Sequence, residues 1–287
     1  MDIQLRPFRP SDTDVVASIV FEAFGSIAKK HNFPPDFPVP EAAQGLAKAF
    51  MTHAKWWGVV AEADGRVVGS NFLDQRDPIA TVGPLTVDPN FHGKGVGRRL
   101  MEAVIARAAE TGAPGTRLVQ DAFNTTSLSL YASLGFELKE PLALMTGKLR
   151  APSPGTVRSM TAADVPACVD LCRRVHGFER GGELADSVNM FRPLLLEREG
   201  RVVAYASAPT FWFINHGVAE TDRDMQELLA GASALTSEPL ALLVPIRRAT
   251  FFKWCLAQGL RVVKPMGLMA MGTYHDPRGA FYPSVQC

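Results

Sequence analysis

The chain has 287 residues, of which 47% are hydrophobic and 21% charged, and its formal net charge at pH 7 is +1. That balance gives no electrostatic basis for binding nucleic acid or an anionic membrane. The N-terminus is polar within a few residues and no apolar run approaches the roughly 18 residues of a membrane helix. We therefore expect a cytoplasmic protein without a signal peptide or membrane span, long enough for two ordinary domains.

An internal repeat is the first feature met along the chain. Each copy opens with a short strand, an Asp at a helix start and apolar residues at helical spacing, and continues with a strand–turn–strand hairpin. The matching segments are Leu5–Gly25 with Val157–Gly177, Val59–Gly69 with Leu194–Ala204, and Leu130–Met145 with Trp254–Met269. The repeat predicts two related domains, 1–150 and 151–287, the second shorter, joined by the Pro- and Gly-rich linker Ala151–Gly155.

The segment His31–Pro40 lies where the second copy is shorter. Its prolines order the loop in advance, and Phe33 and Phe37 are predicted to pack either against a ligand or against the domain.

The stretch from Ile79 to Gly112 combines a strand, a glycine-rich loop and a helix. Leu85, Thr86 and Val87 are typical of a strand that Asp88-Pro89 ends. Glycines at alternate positions before a helix let consecutive backbone N–H groups face one bound anion, which the helix dipole also favours. The loop residues are His92, Gly93, Lys94, Gly95, Val96, Gly97 and Arg98.

This spacing differs from those of other phosphate-binding loops. A Walker loop requires Ser or Thr after the lysine, whereas Gly95 follows Lys94, and a dinucleotide fold requires GxGxxG near a first strand. The pattern His92-x-x-Gly95-x-Gly97 resembles the (Gln/Arg)-x-x-Gly-x-(Gly/Ala) loop of the GCN5-related N-acetyltransferases (GNATs), which holds the pyrophosphate of coenzyme A. His92 departs from that pattern, and we expect the change to be tolerated because the loop acts through its backbone.

A second motif of the same family follows at Arg117–Phe136. It resembles the GNAT signature Asn-x-x-(Ala/Ser)-x-x-x-Tyr-x-x-x-Gly-Phe, which is met by Asn124, Ser127, Tyr131, Gly135 and Phe136. The resemblance covers residues 3–150 and implies a mixed α/β fold in tandem domains, each a mostly antiparallel central sheet flanked by helices. It also implies acetyl-CoA as the acyl donor, held in addition by the backbone at Leu85–Val87.

Aminolysis of a thioester needs a neutral amine, a polarised carbonyl and a protonated or stabilised leaving thiolate. By resemblance, the N–H of Val87 lies near the thioester carbonyl and Tyr131 is the general acid toward sulfur. Asp121 is the predicted base. The alternative bases are Glu22, Asp74 and the C-terminal carboxylate of Cys287.

The second copy lacks this chemistry. Alignment at Gly259 puts Cys255 at the position of Tyr131 and Arg248 at that of Asn124. The helix predicted to start at Thr221-Asp222-Arg223-Asp224 presents carboxylates where a phosphate would sit. This copy is predicted to be a degenerate domain that forms an intramolecular pseudo-dimer with the first. The apolar run Phe211–Ile214 is predicted to be either part of a shared surface or a strand of the second core.

Cys168 and Cys172 are one helical turn apart, but no partner motif completes a metal site, so we expect reduced thiols on a buried helix face and no metal. The leading hypothesis is an acetyltransferase acting on a small-molecule or peptide amine. A synthase similar to the tandem mycothiol synthases, and a non-catalytic acyl-CoA sensor, are the alternatives. The sequence does not identify the acceptor or the oligomeric state.

Overall fold

The computed structural model describes residues 2–151, 153 and 156–286. Three linker residues (Pro152, Pro154 and Gly155) and the C-terminal carboxylate proposed as a base, that of Cys287, lie outside the described residues. The described chain divides into two compact units, which are 2–75, 79–116 and 126–135 for the first, and 76–78, 117–125 and 136–286 for the second.

The first unit contains an antiparallel sheet in the order β1-β2-β3-β4, with the short strand β5 also paired to β3. Helix α3 packs against this sheet through an apolar stripe formed by Leu100, Met101 and Val104, which are fully buried. In chain order the elements are β1 (Ile3–Pro7), α1 (Thr13–His31), α2 (Pro40–Thr52), β2 (Trp56–Ala63), β3 (Arg66–Asp74), β4 (Ala80–Val82), β5 (Thr86–Val87), α3 (Val96–Glu110), β6 (Gly115–Asp121) and α4 (Thr125–Ser133).

The second unit takes up the end of β6 and the turn before α4, and contains two sheets, ordered β6-β13-β7-β12 and β14-β11-β10-β9-β8. Strand β7 pairs antiparallel with β12 on one side and β13 on the other, which is why it belongs to this unit. The remaining elements are β7 (Glu137–Gly147), β8 (Val157–Ser159), α5 (Val165–His176), α6 (Gly181–Met190), β9 (Leu194–Arg198), β10 (Arg201–Ala206), β11 (Gly217–Ala219), α7 (Asp222–Leu235), β12 (Leu240–Pro245), α8 (Ala249–Ala257), β13 (Arg261–Gly272) and β14 (Ala280–Tyr282).

The internal repeat is visible in an ion-pair triad that occurs twice. Arg6 bonds both carboxylate oxygens of Asp12 at 2.6 and 2.9 Å and Glu62 at 2.6 Å. At the equivalent positions, Arg158 bonds both oxygens of Asp164 at 2.9 and 2.8 Å and Glu197 at 2.9 Å. Each triad joins the first strand to the start of the first helix and to the hairpin, so the two copies begin with the same local structure.

The hairpin turns also repeat. Asp64 and Gly65 have φ angles of 52° and 74°, and Glu199 and Gly200 have 53° and 75°. Two successive residues with positive φ are typical of the tight turn that matches the twist of a hairpin, and the second is glycine in both. The predicted hairpins are confirmed.

Three other predictions have clear outcomes. Cys168 and Cys172 are free thiols on the buried face of α5, and burial raises the pKa of the two thiols to about 12 and about 11 respectively, as expected of inert thiols. The strand alternative for Phe211–Ile214 is wrong, because these residues lie in turns between β10 and β11. In the His31–Pro40 loop, Phe37 is buried and packs edge-on against Phe24 with ring centroids 5.3 Å apart, so its contact is with the domain.

Candidate functional site

The glycine-rich loop leads directly into α3, as predicted. Gly93 and Gly95 have φ angles of 75° and 79°, which favour glycine, and Gly95 is the N-cap residue of α3. A Cβ atom built at either glycine would have no heavy atom within 4 Å, so the backbone there faces open space. A helix N-terminus with exposed amides and no capping side chain is suited to bind a diphosphate.

Gly97 has a different role. A Cβ atom there would lie 3.5 Å from Leu130, 3.8 Å from Val87 and 3.9 Å from Leu85. This position is therefore where the first turn of α3, the β5 region and α4 come together within the first unit.

The polar side chains of the loop hold its shape. The Nε2 atom of His92 lies 3.1 Å from the carbonyl oxygen of Val87, which gives the departure from Gln or Arg a structural function. Lys94 donates to the carbonyl of Asn90 at 2.9 Å, and Arg98 donates to the hydroxyl of Ser133 on α4 at 2.7 Å. Both cations lie on the exposed side of the loop, within reach of an anion bound at the start of α3.

Strand β5 presents its backbone rather than its side chains. The side chain of Thr86 is buried, with its hydroxyl 3.0 Å from that of Ser70, and Leu85 precedes the strand. The N–H of Asp88 bonds the carbonyl of Val68 in β3 at 2.9 Å. Because successive N–H groups of a strand point to opposite sides, the N–H of Val87 points away from β3. In the described chain β5 pairs only with β3, so this other edge is available to a ligand.

Tyr131 and Ser127 both lie on α4 in the first unit. Tyr131 is buried, and its neighbour Leu130 contacts the start of α3. Of the predicted site residues, the structure thus brings the loop, β5 and α4 together. Asn124 and Asp121 lie in the turn between β6 and α4, which belongs to the second unit.

Asp121, the predicted base, is in an ion pair. Its Oδ1 atom lies 2.6 Å from the Nζ atom of Lys264 on β13, and both side chains are largely buried. The Oδ1 atom of Asp121 is thus already occupied by an ammonium group. The base role of Asp121 stays a prediction, and this contact weighs against it.

The equivalent positions of the second copy carry other contacts. Thr221 caps α7 by accepting a hydrogen bond from the N–H of Asp224, as the sequence predicted. Asp224 pairs with Arg198 at 2.8 Å, and Asp222 pairs at 2.6 Å with Arg248, which occupies the position of Asn124. Cys255, at the position of Tyr131, is fully buried and burial raises the pKa of its thiol to about 12.

Sequence reasoning missed Lys264 and its counterpart Glu140. Both are charged residues on the last matching strand of their repeat, and both are nearly inaccessible to solvent. Their alignment in the repeat, with opposite charges at one position, was the available signal. Among the described residues there is no cluster of three or more potential metal ligands, and no described helix is long and apolar enough to cross a membrane.

These features are similar to those of known proteins. Residues 26–136 match the acetyltransferase (GNAT) family profile. The chain is 38% identical over 78 residues to a mycothiol acetyltransferase of Thermomonospora curvata, and 34% identical over 82 residues to one of Propionibacterium freudenreichii. These matches span 27% and 29% of this chain and only 26% and 23% of the relatives.

Solved structures agree with the fold over nearly the whole chain. A putative acetyltransferase from Pyrococcus horikoshii superposes with a TM-score of 0.76 over 99% of this chain and 94% of its own, at 14% identity. A GCN5-related N-acetyltransferase from Sphaerobacter thermophilus superposes with a TM-score of 0.59 over 97% and 98%, at 15% identity. The predicted mixed α/β fold with tandem GNAT-like domains is confirmed.

Proposed function

We propose that this chain, whose residues 26–136 match the profile of the acetyltransferase (GNAT) family, is an acetyl-CoA-dependent N-acetyltransferase acting on a primary amine of a small molecule or peptide. The observation that carries the proposal is the start of α3, where a Cβ atom at Gly93 or Gly95 would meet open space and no side chain caps the positive end of the helix. Lys94 and Arg98 add positive charge to the same place.

The open edge of β5 supports the placement of the acyl arm. A pantetheine arm carries two amide groups, which can pair with an exposed strand edge as an added strand does. The N–H of Val87, which points to that edge, is the proposed donor to the thioester carbonyl. It would stabilise the negative charge that develops on that oxygen when the amine attacks.

Tyr131 is the proposed general acid. The amine nitrogen bonds to the carbonyl carbon, the carbon–sulfur bond breaks, and the phenol of Tyr131 gives its proton to the departing sulfur. Asn124 and Ser127 are proposed to contact the arm near that sulfur. The proton lost by the amine is proposed to pass to Asp121, although its ion pair with Lys264 weighs against that role. An unchanged kcat in Asp121→Asn would remove the assignment.

A calorimetric titration with coenzyme A tests the binding site. Gly95→Glu places a carboxylate at the start of α3, and we expect it to weaken coenzyme A binding by about 100-fold or more through repulsion and strain at positive φ. Gly65→Glu is the matched control, because Gly65 has nearly the same φ and equally open surroundings in the β2–β3 turn. No binding to the wild type, or equal losses in both variants, would overturn the proposal.

Release of free thiol over a panel of amines tests the reaction itself. We expect turnover with at least one amine, abolished in Gly95→Glu and retained in Gly65→Glu. Tight binding of coenzyme A without turnover on any amine would instead favour the acyl-CoA sensor.

A further inference from the structure

Strands β7 and β13 close the two repeats, and each contacts the strand–helix turn of the other repeat. The carbonyl of Pro265 on β13 accepts a hydrogen bond from the N–H of Ala122 at 3.1 Å. The carbonyl of Pro141 on β7 accepts one from the N–H of Ile246 at 2.9 Å. The equivalent positions are 124 residues apart in both cases, so the same backbone contact occurs twice.

An ion pair adjoins each of these backbone contacts, with the charges reversed. On β13, Lys264 pairs with Asp121 at 2.6 Å. On β7, Glu140 occupies the equivalent position and pairs with Arg247 at 2.8 Å. We call the contact of Lys264 and Pro265 with the 121–125 turn the first clasp, and that of Glu140 and Pro141 with the turn after β12 the second clasp.

The two clasps differ in how far they are enclosed. In the first, the side chains of Lys264 and Asp121 are 2% and 12% exposed, and the ring of Trp212 lies 5.2 Å from the ammonium. In the second, Glu140 is also buried, at 4% exposed, but its partner Arg247 is 56% exposed. An exposed ion pair contributes little, whereas removing one partner of a buried pair leaves an uncompensated charge. The first clasp therefore constrains its turn more strongly.

The backbone of β13 is shaped for this contact. The register between β13 and β7 shifts between Val262 and Lys264, which is a bulge next to the lysine. Bulges re-aim side chains and are frequent beside functional sites. Here Lys264 lies two residues before Met266 on the buried side of the strand, and its charge is directed at the end of β6.

The turn held by the first clasp carries Asn124 and leads into α4, the helix of Tyr131. Within it, the N–H of Asn124 bonds the carbonyl of Asp121 at 2.9 Å, so Asp121 is tied both to Lys264 and to the backbone of Asn124. We propose that Lys264, supplied by the second repeat, is a positioning residue for Asn124, which is proposed to contact the pantetheine arm. The degenerate repeat then has a defined function, which is to fix the turn that carries Asn124. This inference rests on the proposed function.

Lys264→Met tests the proposal, with Glu140→Met as the matched control at the equivalent buried position of the other repeat. We expect Lys264→Met to raise the KM for acetyl-CoA and the Kd of coenzyme A by about tenfold, because small displacements of positioning groups have effects of this order or larger. Glu140→Met is expected to leave both constants within about twofold, since the second clasp precedes a helix without coenzyme contacts. Both variants are measured well below their unfolding temperatures.

The double variant Lys264→Met/Asp121→Asn separates positioning from stability. It removes both charges, so no buried ion is left unpaired and the unfolding temperature should recover relative to Lys264→Met. The tether is still missing, so the Kd of coenzyme A should stay weak. Lys264→Arg, which keeps the charge, should restore part of the affinity.

The outcomes distinguish the inference from its premise. Wild-type protein that does not bind coenzyme A overturns both. Wild-type binding together with unchanged constants in Lys264→Met overturns the positioning role alone. So does a double variant whose affinity recovers along with its stability, because the lysine would then act only by keeping the protein folded.

Discussion

The N-termini of α3 and α7 occupy equivalent positions in the two repeats, but they differ in capping and in charge. No side chain caps α3, whereas Thr221 caps α7 and two carboxylates lie in its first turn. Each helix follows a short strand that pairs with the second strand of its hairpin, β5 with β3 and β11 with β10. Residues 88–95 separate β5 from α3, whereas only Glu220 and Thr221 separate β11 from α7. The long loop ends in a glycine and leaves the helix amides exposed, whereas the short one ends in a threonine that caps them.

The difference shows that a helix N-terminus is an anion site only when its own side chains do not already satisfy it. At α7, Thr221 accepts from the N–H of Asp224, and the carboxylates of Asp222 and Asp224 hold Arg248 and Arg198. Negative charge is thus already present where the helix dipole attracts it. At α3 the N-cap residue is Gly95, and no side chain caps the helix.

Replacement of Tyr131, the proposed general acid, is expected to have the largest effect on activity, whereas replacement of its counterpart in the second repeat should have none. Tyr131→Phe should lower kcat by about 100-fold, which is the lower end of what a general acid contributes, with the Kd of coenzyme A unchanged. Cys255→Ala, at the equivalent position of the second repeat, should leave kcat unchanged. Steady-state kinetics and calorimetry on the same samples give both values, and an equal kcat for Tyr131→Phe and wild type would remove the acid.

The stability of the second unit is expected to depend on pH through the buried His216. Burial and the positive charge of Arg180 lower the pKa of His216 to about 4. A carboxylate oxygen of Glu183 lies 3.3 Å from the Nδ1 atom of His216. The unfolded chain, with a pKa near 6.5, binds the proton first as the pH falls. His216 therefore contributes stability above pH 6.5 that is lost between pH 6.5 and 4, about 2 kcal/mol between pH 7 and 5.

Chemical denaturation at pH 7 and pH 5 measures this loss. His216→Gln should lose about 2 kcal/mol less over that interval than the wild type. The exposed His275 offers a control, and His275→Gln should follow the wild-type curve. Parallel curves for all three proteins would show that His216 is not held neutral by burial.

The cap of α7 is expected to give the smallest effect. Thr221→Ala removes an N-cap oxygen and should lower the free energy of unfolding by about 1 kcal/mol, whereas Thr221→Ser should retain most of it. Neither should alter coenzyme A binding, and the titration should saturate at one coenzyme per chain. Two coenzymes per chain, or a weaker Kd in Thr221→Ala, would contradict the assignment of a single site at α3.

Features that depend on nearby residues could be predicted from the sequence. The positive φ angles of Gly93 and Gly95, the cap at Thr221 and the hairpin turns at Gly65 and Gly200 follow from which residues tolerate those conformations. The conformation of the apolar run Phe211–Ile214 could not be predicted, because a short apolar segment has no periodicity that distinguishes a strand from a packed turn.

Partners far apart in sequence could not be predicted. The sequence placed Asp121 at the end of a strand as the predicted base, and only the packing of β13 beside β6 brings Lys264 to it. Likewise, nothing in the sequence indicates that β7 and β13 lie next to each other and exchange contacts with the turns at Ala122 and Ile246.

The sequence by itself determined the repeat, the GNAT fold and the glycine loop that one copy has and the other lacks. The reason is that backbone dihedrals, caps and apolar periodicity are set by residues within a few positions of one another. The tertiary structure alone decided which charges meet, namely Lys264 with Asp121 and Glu140 with Arg247. A buried charge is stable only beside its counter-charge, and that partner is fixed by how strands pair across more than a hundred residues.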